Sequence, residues 1–181
     1  GFKVICNYFF PSEDKAMKTY ERIAGYGKPI LFHSGILYDG PRASSRYNRP
    51  VEFEALFTIN GLRFALAHIS WPWCDECIAV YGKFNSMRRR RSDFNTELFI
   101  DITPGTPPIY REEALTKLFT VGYDVADNIF FGTDCRANDY GIDYAKGIIE
   151  RDWRIFEKLN LQKEVYEKIY EKNLKRFIGD V

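Results

Sequence analysis

Five short apolar runs punctuate the chain, at Phe2–Ile5, Pro29–His33, Arg63–His68, Leu98–Ile102 and Ile129–Gly132. They are continuous rather than alternating, the pattern of strands buried on both faces. Their starts lie 27 to 35 residues apart, an interval that accommodates a strand, a crossover helix and the return. The gaps carry helical periodicity. Ser12 is the expected cap of a helix through Gly25, with Glu13 and Asp14 in its first turn and Gly25 and Gly27 to stop it. Pro50 opens a shorter helix with Phe53, Leu56 and Phe57 on one face, and Asn60-Gly61 turns the chain into the next strand. Pro72 opens a helix carrying Ile78, Val80 and Tyr81, and Arg111–Gly122 places Ala114, Leu115, Leu118 and Phe119 on one stripe. Two amphipathic helices close the chain, Tyr144–Leu159 and Leu161–Phe177. The alternation predicts an α/β fold, a parallel sheet wrapped by helices. Right-handed crossovers then bring every strand's C-terminal end to one edge.

That edge is where such sheets and barrels keep their chemistry. The chain's only two histidines, His33 and His68, each end an apolar run, and Asp134 follows a third run. Two imidazoles and a carboxylate at neighbouring strand ends are suitable ligands for a divalent metal, and a histidine left free of metal moves protons near neutral pH. The stretch Ser34–Arg49 after His33, and Thr103–Tyr110, read as loops that shape a pocket.

Composition narrows the class. Lys plus Arg number 26 and Asp plus Glu 25 in 181 residues, a balance that gives no global pull toward nucleic acid or an anionic membrane. No run approaches the roughly 20 apolar residues of a membrane span. Four cysteines are too sparse for a disulfide scaffold, so free thiols in a cytoplasmic protein are expected. The chain opens with Gly1, one residue before its first strand, and preceding sequence is expected to be missing.

The runs Phe2-Lys-Val-Ile5, Lys28-Pro-Ile-Leu-Phe-His33-Ser-Gly35, Leu66-Ala-His68-Ile, Phe130-Phe-Gly-Thr-Asp134 and Asn173-Leu-Lys-Arg-Phe-Ile-Gly179 resemble, in order and spacing, the amidohydrolase-related metal-dependent hydrolases. The branch that contains aminocarboxymuconate-semialdehyde decarboxylase is the most similar. The resemblance implies a partial TIM (β/α)8 barrel over residues 1–181, a single domain whose strands correspond to barrel strands 4–8. It implies that His33 and Asp134 are metal ligands, zinc being the expected metal, that Asp134 also orients water, and that His68 is an unligated catalytic acid/base. The family's first-strand His-x-His pair has no counterpart here, so the implied metal set is incomplete. The implied activity is hydrolysis or non-oxidative decarboxylation of a small carbonyl or carboxylate substrate, in a homo-oligomer or in a chain completed by the missing N-terminal segment. The rival reading is a truncated, non-catalytic α/β relative that serves as a binding or structural module.

Smaller signals are weaker. Cys74-Asp-Glu-Cys77 has C-x-x-C spacing without a second ligand pair, and reads as two cysteines on a helix face. Lys3 falls on the strand where binuclear relatives carry a carbamylated lysine, but their other ligands are missing. Arg42, Arg46 and Arg136 are candidates to grip a substrate carboxylate. Arg88–Arg91 reads as a solvated surface loop, and Trp71 and Trp73 either wall the pocket or pack against a neighbouring loop.

Overall fold

The computed structural model describes residues 1–180. Five strands, β1 (Phe2–Val4), β2 (Ile30–Phe32), β3 (Arg63–Leu66), β4 (Glu97–Asp101) and β5 (Ile129–Phe130), form one sheet in the order β1-β2-β3-β4-β5. Every adjacent pair is parallel. The crossovers carry α1 (Asp14–Gly25), α2 (Cys74–Arg90) and α3 (Pro108–Thr120), and α4 (Ile142–Lys158), α5 (Lys163–Glu167) and α6 (Asn173–Ile178) follow β5. A doubly wound sheet reverses its strand order at a switch point. This sheet does not reverse, so crossovers of one hand stack their helices on one face, the arrangement of a partial (β/α) barrel.

Successive strand residues point to opposite faces. The helix-covered face holds Ile30, Phe32, Phe64, Leu66, Leu98, Ile100 and Ile129, all buried against Tyr20, Phe53, Tyr81 and Leu115. The opposite face has its own small cluster of Ala65, Phe99, Phe130 and Leu31, closed from below by Phe177 of α6. Phe99 packs edge-on to Phe177 with ring centres 5.2 Å apart, and the Arg176 guanidinium lies 4.5 Å from the centre of the Phe99 ring. The register Lys3–Leu31–Ala65–Phe99 places Lys3 in this inner layer.

Several elements depart from the sequence expectation. The first helix starts at Asp14 with Glu13 rather than Ser12 at the cap position, and the Glu13 carboxylate accepts a hydrogen bond from the Phe10 N–H (2.9 Å). The helix after Pro50 is a 3-10 helix through Thr58, and Ser45–Asn48 adds a 3-10 turn inside the expected loop. α2 opens at Cys74, after a cis Trp71–Pro72 peptide, and runs on through Arg90. Arg88, Arg89 and Arg90 therefore form the last helical turn, where cations complement the exposed carbonyl end of the helix dipole. The expected closing helix is interrupted by a π-helical segment at Lys168–Lys172. The Ile169 carbonyl there accepts from the Phe131 N–H (2.9 Å), and the Asn173 side-chain amide donates to the carbonyls of Ala126 and Ile129 (both 2.7 Å). Tethers to the end of β5 thus replace regular helical bonding. No described helix is long and apolar enough to cross a membrane.

Candidate active site

At the C-terminal rim of the sheet lies a cavity of about 520 Å³ whose walls include Lys3, His33, Ser34, His68, Trp71 and Asp134. Both histidines and Asp134 thus share one cavity.

His33 directly follows β2 and extends the ladder, its N–H bonding the Val4 carbonyl (2.8 Å). Its side chain lies 2.9 Å from the Ile36 carbonyl through Nε2. A carbonyl only accepts, so Nε2 carries the proton and Nδ1 is left with a free lone pair. Burial pushes this imidazole down to about 4, opposed by the Ile36 bond and reinforced by the neighbouring His68 and Lys3 charges. At neutral pH His33 is a neutral imidazole. The His68 ring centre is 5.3 Å from that of His33, and the ring planes are tilted by 59°. His68 donates from Nδ1 to the Pro104 carbonyl (3.1 Å), which leaves its Nε2 without a partner among the described residues.

β3 ends at Leu66, so His68 is not a strand residue as the sequence suggested. It lies in a turn in which His68, Ile69 and Ser70 all take left-handed backbone angles (φ 64°, 50° and 55°). Each such L-residue costs roughly 1–2 kcal/mol, and a β-branched Ile is a rare occupant. Buried contacts hold the turn in place. Ile69 is fully buried, the Ser34 hydroxyl donates to Ser70 Oγ (2.7 Å), and the Ile36 N–H donates to the Trp71 carbonyl (2.8 Å). Gly35 (φ 110°) backs directly onto the Ser70–Trp71 peptide, where any side chain would collide. Gly105 faces the His68 ring, and a methyl group there would sit 2.7 Å from its Cβ, Cγ and Nδ1. Strained backbone of this kind gathers where a side chain must be aimed.

Asp134 lies four residues beyond the end of β5, exposed, on a left-handed backbone (φ 59°). Asp101, not among the residues expected from the sequence, is the last residue of β4 and only 2% exposed. Its Oδ1 accepts from both the Thr103 N–H (2.8 Å) and the Thr103 hydroxyl. Burial raises its carboxyl above the usual range against those bonds and against the His68 and Lys3 charges. The signal was available as a carboxylate directly after the apolar run Leu98-Phe-Ile100. Burial also lowers the Lys3 ammonium, with Asp101 and Asp134 pulling the other way.

The three arginines proposed as carboxylate grips do not line the cavity. Arg46 stacks between Phe10 and Tyr47 (5.1 and 5.0 Å to the ring centres), Arg136 sits in a local bridge with Asp139, and Arg42 is exposed. Cys74 and Cys77 are buried free thiols, which desolvation pushes up to about 11 and about 12. Trp71 lines the cavity and also a second cleft, which it shares with Trp73 and Tyr110.

The model of the amidohydrolase family matches residues 3–179. The chain belongs to the amidohydrolase family. Among solved structures, an uncharacterized TIM-barrel protein from Bordetella bronchiseptica is 19% identical, with a TM-score of 0.60 over 94% of this chain and 52% of its own. An assigned amidohydrolase from Staphylococcus aureus is 12% identical, with a TM-score of 0.55 over 98% of this chain and 63% of its own. The chain therefore spans between half and two thirds of the length of these neighbours, and at such identities the likeness is one of fold. No curated protein matches the chain.

Members of this family commonly use a divalent metal. His33 and Asp134 have the right donor types, neutral imidazole and carboxylate, for zinc. Their number falls short. Among the described residues no group of three or more His, Cys, Asp or Glu side chains is placed to hold a metal ion, and catalytic zinc usually takes three protein ligands. The described residues do not by themselves complete a metal site.

Proposed function

We propose that this rim is the proton-transfer half of an active site of the amidohydrolase superfamily, acting on a small carbonyl or carboxylate substrate by hydrolysis or non-oxidative decarboxylation. The observation that carries the proposal is the meeting of His33, His68 and Asp134 in one cavity. His68 is the proton carrier. Its Nδ1–H is anchored on the Pro104 carbonyl, which fixes the ring and leaves Nε2 to act. In hydrolysis Nε2 takes a proton from the attacking water and returns it to the leaving group. In decarboxylation the protonated ring delivers its proton to the carbon that loses CO2. Asp134 orients the water or the reacting carboxyl group. His33 and Asp134 have the donor types that zinc takes, and they would hold it only together with further donors.

The test is a screen of small amides, esters and unsaturated carboxylic acids, with product followed by NMR and CO2 release measured separately. His68→Gln is expected to lower turnover by about 10²–10⁴-fold, the usual contribution of a positioned acid/base. Turnover that survives His68→Gln unchanged overturns the assignment.

The short donor set favours a second reading, a non-catalytic module. Elemental analysis of the purified chain separates the two. Near-stoichiometric zinc or manganese that is lost in His33→Ala supports the enzyme. Metal-free, inactive protein that folds normally with that substitution supports the module.

A further inference from the structure

Among the residues that wall the cavity, Lys3 is the one lysine or arginine. It lies in the inner layer of the sheet, level with Leu31, Ala65 and Phe99. Those neighbours are apolar, and a lysine on such a surface lays its methylene stem along it and carries the ammonium to the nearest polar opening. The nearest opening is the rim. His33 lies two residues further along the neighbouring strand, about 6.6 Å of strand rise above this layer. The ammonium consequently belongs to the space shared by the two imidazoles and Asp134.

The surrounding charges leave this cation available. Asp101 and Asp134 attract it through space, but neither forms a hydrogen bond with it. Asp101 is already bonded to Thr103. Asp39, at the mouth, accepts from the Asn7 side chain (2.7 Å). Among the described residues the cavity thus holds one partly desolvated ammonium without a bonded partner, beside an imidazole nitrogen that is also unbonded.

We infer that Lys3 is the anion anchor of this cavity and selects substrates that carry a carboxylate, holding it beside His68 Nε2. This builds on the cavity being the substrate site, and it replaces the arginines suggested by the sequence with a residue of the sheet itself. A rigid strand positions such a contact more reliably than the loops that bear Arg42 and Arg136. Lysine binds a carboxylate as a point charge rather than a planar fork, so the site discriminates by charge more than by the geometry of the acid.

Benzoate and its neutral counterpart benzamide test this in the 181-residue chain, with binding measured by calorimetry and by the indole N–H resonance of Trp71. Benzoate is expected to bind, and benzamide about tenfold or more weakly, in keeping with a charge-assisted contact. Lys3→Met is expected to weaken benzoate about tenfold while leaving benzamide unchanged, and Lys3→Arg to restore benzoate to within about threefold. Unchanged circular dichroism and melting temperature in Lys3→Met ensure that the loss is local. Equal affinity for the two probes, benzoate binding that survives Lys3→Met, or no benzoate binding at all would each overturn the inference. His68→Gln separates this inference from the catalytic proposal. It is expected to cut turnover about 10²–10⁴-fold while keeping benzoate affinity, so anion binding by Lys3 in a wild-type chain that shows no turnover sinks the catalytic reading alone.

Discussion

His33 couples the cavity to pH. Its imidazole titrates near 4 in the folded chain, against about 6.5 when unfolded. Between those values the unfolded chain takes up a proton that the folded chain refuses. Stability therefore falls as pH drops from 6.5 toward 4 and loses nothing further from this residue below 4. Asp101 acts in the opposite sense, because its raised carboxyl favours the folded state at low pH and that benefit fades as pH rises. The His33 contribution is thus best read as a difference. In metal-free protein, the stability gap between wild type and His33→Gln, measured by urea unfolding, is expected to change by roughly 1–3 kcal/mol across pH 4–6.5 and to stay flat from pH 6.5 to 8. A gap that does not move with pH sinks the assignment. At this scale the sequence was informative about which residues meet, because a polar residue closing an apolar run has few other places to go. It was silent about aim. The left-handed turn at His68–Ser70 is set by Gly35, Ser34 and Ile69 acting together, and no local propensity announces it. Asp101 escaped notice because the run was read through Ile102, which made the carboxylate look internal to the strand.

Among the elements, α3 and α4 are tied by a buried ion pair. Arg111 donates from Nε and Nη2 to the two oxygens of Asp152 (3.1 and 2.6 Å), and Nη2 also reaches the Ile102 carbonyl (2.6 Å). Both side chains are fully buried. The pair anchors the segment that follows β4, one residue beyond Asp101, to the outer helices. Removing one partner leaves the other charge buried without its counter-charge. Asp152→Ala is expected to lower stability by about 3–5 kcal/mol in denaturant unfolding, whereas the double change to Met at 111 and Leu at 152 is expected to cost much less. Equal losses in the two variants would show that packing rather than charge is at stake. The five strands and the main helices were legible because burial on both faces and 3.6-residue periodicity are strong signals. The 3-10 helix after Pro50 and the π segment at Lys168–Lys172 were not, because both depend on tertiary hydrogen bonds such as that from Phe131 to Ile169.

Viewed whole, the molecule is an arc of sheet with helices outside and a thin aromatic layer inside. Apolar runs at crossover spacing make this architecture readable in the sequence. The contribution of Phe177, which returns from the last helix to close the layer beneath the rim, was not readable, because its pattern fits any amphipathic helix. β1 and β5 each have a neighbour on one side only among the described strands, and Phe2 and Ile5 at the β1 edge are 50% and 43% exposed. Open backbone edges beside exposed apolar side chains recruit further strands. Purified alone, the 21.2 kDa chain is expected to elute by light-scattering chromatography as a species larger than one copy. A clean single-copy mass at about 100 μM would contradict this.

Trp71 gives the molecule a party wall. The residue borders the cavity with His68 and also an outer hollow of about 560 Å³, where Tyr110 stacks on its indole with ring centres 6.4 Å apart. A tenant of the outer hollow leans on the same ring that bounds the chemistry. Small flat molecules chosen to fit between Trp71 and Tyr110 would therefore perturb the inner chamber without entering it, and would influence it from the far side.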